Sequence, residues 1–147
     1  MTLKIAILGT GRIAENSLAP ALVEAADGEF WSVLSRNLKR AERFSKQFNA
    51  HSPTPAYDTL SDLLADPSLD AVIIATPDGV HTEQTLAAAI AGKHVFCEKP
   101  LATNREDAQS MVDACRTAKV QLGLAYHMRW HTGHRKLFGA CQAGDFG

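Results

Sequence analysis

The chain has 147 residues, a formal net charge of −1 and a 46% hydrophobic composition, which is enough chain for one domain with a packed core. The near-neutral balance excludes the basic footprint of a nucleic-acid binder or a polybasic membrane surface, and no apolar run approaches the length of a membrane span. Met1-Thr2-Leu3-Lys4 leads straight into an apolar segment, so no signal peptide is expected, and Cys97, Cys115 and Cys141, which share no CxxC spacing, read as reduced thiols of a cytoplasmic protein.

Leu3 to Leu8 is an apolar run that reads as a buried strand. Gly9-Thr10-Gly11-Arg12-Ile13-Ala14 then reads as a tight turn opening a helix. This is the arrangement that sets a dinucleotide pyrophosphate on a helix N-terminus. Gly9 makes the turn, Gly11 lets the backbone approach the phosphates, and Ala14 takes the small third position. The first amides of such a helix lack partners within it, and its dipole favours an anion. A plain strand–helix corner uses the same glycines, so the rest of the chain has to decide.

Ile13, Leu18, Ala21, Leu22 and Ala25 recur at helical spacing, with Pro20 either dividing the helix or sitting in the first turn of its second piece. Glu29 to Leu34 is the second strand. Asn37 is placed to cap a helix carrying Ala41, Phe44 and Phe48. A short strand is expected near Pro55-Ala56-Tyr57, then a brief helix capped by Asp58 with Leu60, Leu63 and Leu64 on one face. Asp70 to Ala75 is β-branched and apolar on both faces, as a central parallel strand must be. A helix from Val80 to Ala91, a stop at Gly92 and a strand at His94 to Cys97 follow. Thr103 and Glu106 have capping-box spacing ahead of a stripe at Ala108, Met111, Val112 and Cys115. Gln121 to Ala125 is the sixth strand, and a last helix is expected from about His134 to Gln142. Strands alternating with helices predict an α/β fold of the Rossmann type, a doubly wound parallel sheet with strand order 3-2-1-4-5-6. Ligands then bind along the carboxyl edge of the sheet.

Four polar segments fall on that edge after the glycine turn. Ser35-Arg36-Asn37 follows strand two, where the adenosine ribose is read. It offers a hydroxyl and a guanidinium instead of the carboxylate that would hold the ribose of NAD. Arginine makes charge-assisted bonds to phosphate, so NADP is preferred over NAD; the plainer alternative is that Ser35 caps the next helix and Arg36 is solvated. Ala75-Thr76-Pro77 halts strand four beside the expected riboses and nicotinamide, with His81 one turn into the next helix, a structural histidine on its own merits. Cys97-Glu98-Lys99-Pro100 ends strand five. Lys99 could present a cation to the nicotinamide and a substrate hydroxyl, its pKa depressed by burial and a neighbouring positive ring. The alternative is a surface Glu98–Lys99 ion pair of little worth. Tyr126-His127-Met128-Arg129-Trp130 can wall the nicotinamide end. His127, His131 and His134 have the spacing of metal ligands, but Gly133 interrupts a shared face and no metal site is expected.

These segments together resemble the Gfo/Idh/MocA family of glucose–fructose oxidoreductases and inositol dehydrogenases. The matches are the glycine turn, Ala75-Thr76-Pro77 with His81, Glu98-Lys99-Pro100-Leu101-Ala102 and Tyr126 to Trp130. The resemblance implies that Lys99 is catalytic and that Glu98 helps hold the nicotinamide ribose. It implies cofactor contacts at Gly9, Thr10, Gly11, Arg12, Ile13, Ser35, Arg36, Ala75, Thr76, Pro77, His81, Glu98, Lys99 and Arg129. The chemistry implied is hydride transfer between nicotinamide C4 and a carbinol or carbonyl carbon of a sugar, cyclitol or related molecule. Family members carry a second, substrate-binding domain. Here residues 1–125 are expected to form the nucleotide domain and 126–147 a connecting segment and helix leading toward a domain that the sequence does not contain. The chain is therefore expected to be the nucleotide half of an oxidoreductase, probed alone as inactive or weakly active. The alternatives are a non-catalytic dinucleotide module or a truncated remnant needing a partner chain. Leu137, Phe138 and Cys141 on the final helix are expected to promote self-association.

Overall fold

Alternation of side chains across strands sorts the apolar residues of this chain onto two faces. In the computed structural model, which describes residues 2–146, both faces are used. Six parallel strands, β1 (Leu3–Leu8), β2 (Gly28–Leu34), β3 (Ala56–Tyr57), β4 (Ala71–Ile74), β5 (His94–Cys97) and β6 (Leu122–Leu124), form one sheet in the order β3-β2-β1-β4-β5-β6. Ala6 and Leu8 point into a core with Val72, Ile74, Val95 and Cys97. That core is closed by Leu63 of α3 (Leu60–Leu64), Ala88 of α4 (His81–Ile90) and Met111 and Cys115 of α5 (Arg105–Thr117). Ile5 and Ile7 point the other way, to Leu22 of α1 (Ala19–Glu24), Ala41 and Phe44 of α2 (Leu38–Gln47), and Phe30 and Val33 of β2. This is the doubly wound arrangement expected from the sequence, with the predicted strand order.

The register brings the strand ends level. Tyr57, Leu34, Leu8, Ile74, Cys97 and Leu124 are successive partners across the sheet. The ladder then runs one residue further, with Ser35, Gly9, Ala75, Glu98 and Ala125 donating their amides to Tyr57, Leu34, Leu8, Ile74 and Cys97 at 2.9–3.0 Å. Every segment singled out on the carboxyl edge therefore leaves the sheet from one line.

The local differences from expectation have local causes. Of the two places expected for Pro20, the structure takes the second, in the first turn of the second helical piece. Residues Ala14–Leu18 form a π turn, in which the Ala19 amide reaches back five residues to the Ala14 carbonyl, and Pro20 falls in the first turn of α1. Pro20 has no N–H to give to the preceding turn, and the π turn lies directly before it. The inserted residue rotates the buried face to Ala14, Ala19 and Leu22, leaving Ala21 and Ala25 exposed. Thr59, not Asp58, occupies the cap position of α3; Asp58 lies one residue too early and accepts from the Thr59 hydroxyl at 3.2 Å. Asn104, not Thr103, caps α5. Its Oδ1 accepts from the Asp107 amide at 2.8 Å while its Nδ2 donates to the Asp107 carboxylate at 2.7 Å, a reciprocal pair that outcompetes the Thr103–Glu106 box. The last helix, α6 (Thr132–Ala143), starts earlier than expected and buries no residue.

Candidate cofactor site

The glycine turn is built by two different constraints. Gly9 has φ +103°, and a Cβ there would lie 2.8 Å from the Ala75 carbonyl oxygen and 3.0 Å from its carbon. Only glycine fits where the β1 turn crosses the end of β4. Gly11 has no such conflict, because a Cβ there would meet no atom within 4 Å. The space beside Gly11 is open. The first main-chain bond of the helix runs from the Glu15 amide to the Gly11 carbonyl at 3.0 Å. The amides of Arg12, Ile13 and Ala14 come before it and have no helical acceptor. Ala14 is fully buried, as its small size requires.

The end of β2 meets this turn. The Thr10 hydroxyl donates to Ser35 Oγ at 3.3 Å, and Ser35 Oγ also accepts from the Asn37 amide at 3.4 Å. Asn37 itself caps α2, accepting from the Arg40 amide at 3.2 Å, so the helix does not need Ser35 as its cap. Arg36 is exposed. Arg40, which sequence reasoning passed over, reaches back with Nη2 to the Thr10 carbonyl at 3.3 Å. The available signal was its place one helical turn beyond Arg36. Thr10, Ser35, Arg36 and Arg40 thus bring hydroxyls and two guanidinium-bearing residues to the end of β2.

The other end is built by the loops after β4, β5 and β6. Ala75 is buried, Thr76 is half-buried with its hydroxyl on Gln84 Oε1 at 2.6 Å, and Pro77 is exposed. His81 is fully buried, with both ring nitrogens 2.9 Å from main-chain carbonyls, so it holds loops together and presents no free edge to a ligand. Glu98 is half-buried, and its Oε2 accepts from the Lys99 amide at 3.1 Å. The Lys99–Pro100 bond is cis. Among the described residues Glu98 and Lys99 make no ion pair. Lys99 is exposed, which corrects the expectation of a buried ammonium. Beside it a cleft of about 550 Å³ is lined by Ile13, Phe96, Glu98, Tyr126, His127 and Trp130, among others. Tyr126 leads into a 3-10 turn over His127–Trp130, and Arg129 stands on that turn outside the cleft lining. Phe96 is 41% exposed on the wall of this cleft, and its ring lies where a Cβ of Gly123 would be 2.8 Å away. A second depression, of about 460 Å³, lies at the opposite edge around Thr2, Gly28 and His51 and shares no residue with the strand-end loops.

Burial pushes the Cys97 thiol up to about 12, with the Glu98 and Asp78 carboxylates adding to the effect; burial also raises Cys115, whereas Cys141 is exposed. A thiol reagent near neutral pH is therefore expected to label Cys141 alone in the folded chain and all three cysteines after unfolding. In the unfolded chain Cys97 returns to its ordinary value of 9.0, below its folded value. Its contribution to stability is present below about pH 9 and is lost as pH rises toward 12. Denaturation midpoints should fall across that window, and Cys97→Ala should flatten the fall.

A parallel sheet with its strand ends level, a glycine turn open beside Gly11 and a Glu-Lys-Pro turn at the neighbouring strand define a dinucleotide-binding α/β domain. Comparison with known proteins agrees. Residues 3–126 match the family model described as oxidoreductase family, NAD-binding Rossmann fold, and the chain belongs to this Gfo/Idh/MocA family. It is 38% identical over 141 residues to a 1,5-anhydro-D-fructose reductase of Ensifer adhaerens, covering 96% of this chain and 41% of that one. It is 41% identical over 125 residues to a D-xylose 1-dehydrogenase (NADP(+)) of Haloferax volcanii, covering 85% and 37%. The crystal structure of a 3-ketoreductase from Actinomadura kijaniata in complex with NADP superposes with a TM-score of 0.90 at 30% identity, covering 100% of this chain and 46% of that one. The chain spans less than half the length of these relatives.

Proposed function

We propose that this chain binds NADP(H) and is the nucleotide half of an oxidoreductase acting on a sugar, cyclitol or related alcohol. The observation that carries the reading is the juxtaposition at one sheet edge of the open Gly11 turn, with its free amides, and the Thr10–Ser35–Arg36–Arg40 cluster. The amides of Arg12 and Ile13 would hold the diphosphate, and Ser35, Arg36 and Arg40 would take a 2′-phosphate, for which two cations suit better than the bare ribose of NAD. Ala75, Thr76 and Pro77 line the path to the nicotinamide end, Glu98 accepts from a ribose hydroxyl, and Tyr126 and Trp130 wall the cleft. When bound, the cofactor supplies or accepts the hydride at nicotinamide C4. Lys99 exchanges the proton of the substrate hydroxyl, and Arg129 borders that end. The named activities of the relatives, on anhydrofructose and xylose, point to the substrate class. We read residues 1–125 as the nucleotide domain and 126–147 as a connecting segment. The free cysteines suit a reducing, cytoplasmic setting; no helix among the described residues is long and apolar enough to cross a membrane.

The exposure of Lys99 and the open cleft favour a second reading, in which the chain turns substrate over only when another chain covers this edge. Copurification of such a chain would support it, and turnover of polyols by the pure protein would overturn it. Titration with NADPH tests the first reading. Trp130 is 77% exposed on the cleft wall, so excitation of tryptophan should produce saturable nicotinamide emission, largely lost in Trp130→Phe. No binding of NADPH or NADH would reject the reading. The final helix carries a further expectation. Leu137 and Phe138 are 53% and 66% exposed, and burying one such side chain is worth about 1.5–3 kcal/mol. Sedimentation should show concentration-dependent self-association that Phe138→Glu relieves; a monomer at all concentrations would contradict it.

A further inference from the structure

His81 opens α4, is 0% exposed, and spans two carbonyl oxygens that belong to different strand ends. Nε2 lies 2.9 Å from the carbonyl of Thr76, after β4, and Nδ1 lies 2.9 Å from the carbonyl of Pro100, after β5. A carbonyl oxygen can only accept. Each contact is a hydrogen bond only if its ring nitrogen carries a hydrogen, and both together ask for two ring N–H groups. The α5 side contributes the neutral Met111, whose Sδ receives the Thr82 hydroxyl at 3.6 Å.

The two loops depend on this ring unequally. The Thr76 loop has a further tie, its hydroxyl on Gln84 Oε1 at 2.6 Å. The turn carrying Lys99 has none: among the described residues, the bond from His81 to Pro100 is the one hydrogen bond joining residues 99–103 to another segment. Pro100 has no amide to offer. We propose that His81 is a positioning residue for Lys99. Its rigid ring, donating at both ends, sets the distance between the lysine turn and the loop along which the cofactor lies. The role rests on the reading of Lys99 given above, although the strut itself does not.

Nuclear magnetic resonance of the wild-type chain tests the strut without any substitution. Both His81 ring N–H groups should exchange slowly, one coupled across its hydrogen bond to the Thr76 carbonyl carbon and the other to that of Pro100. A ring with a single protonated nitrogen would overturn the proposal. His81→Gln should then lower the backbone order parameters of Lys99 and Leu101 below about 0.6, while the β4 residues stay near the rigid wild-type value of about 0.85. Met111→Ala serves as the comparison, a packing defect on the same side of the sheet that touches neither carbonyl. If His81→Gln loosens the whole sheet as Met111→Ala does, the residue is merely a core group and the proposal fails. NADPH titration of the same wild-type sample separates the two claims. No binding beside an intact doubly donating ring would remove the cofactor reading and Lys99's role with it, and leave the strut standing.

Discussion

Gly11→Ala is expected to fold like the wild type and to lose NADPH, whereas Gly9→Ala is expected to lose stability first. The two glycines stand two residues apart in the same turn, yet their surroundings are opposite. At Gly9 a side chain would have to adopt a left-handed φ, at roughly 1–2 kcal/mol, and push into the Ala75 carbonyl, an overpacking of roughly 1–3 kcal/mol. The melting midpoint should fall by about 4–20 °C in a chain of this size. At Gly11 the added methyl meets nothing in the protein and fills the approach to the amides of Arg12 and Ile13. Its thermal midpoint should match wild type while NADPH affinity falls by at least about tenfold, the equivalent of about 1.4 kcal/mol. A Gly11→Ala variant that binds as well as wild type would mean that no phosphate approaches here.

Arg36→Asp should have the second large effect, on the choice between nucleotides. A hydrogen bond to a charged group contributes roughly 1.5–3 kcal/mol, and the new carboxylate would repel a 2′-phosphate as well. The preference for NADPH over NADH should fall by roughly 10- to 100-fold, with most of the loss on the NADPH side. Arg40→Ala should move it in the same direction. Its guanidinium also holds the Thr10 carbonyl, so it should weaken both nucleotides somewhat. Parallel titrations with the two nucleotides decide the matter. An unchanged ratio in Arg36→Asp would show that the residue lies in solvent, away from any ribose.

Much of this arrangement could be read from the residues alone, because it depends on repetition along the chain. The apolar runs of β1 and β4 dictate a sheet covered on both faces, and the glycine turn and Glu-Lys-Pro segment mark where two strands end. What could not be read depends on partners distant in sequence or on close local competition. Asn104 wins the cap of α5 through a bond made in both directions with Asp107, which spacing rules do not rank against Thr103 and Glu106. The π turn before Pro20 is a backbone adjustment with no residue pattern of its own. Arg40 turns toward Thr10 because of where β1 ends, and His81 is buried because the loops after β4 and β5 converge on it. Lys99 and Phe96 are exposed in the fold, which no local reading of Cys97-Glu98-Lys99-Pro100 could reveal.

The most direct test is a crystal structure of this chain grown with NADP⁺. Diphosphate oxygens within hydrogen-bonding distance of the Arg12 and Ile13 amides, and a 2′-phosphate against Ser35 and Arg36, are the predicted result. A nucleotide bound elsewhere, with the space beside Gly11 closed by protein, would contradict it.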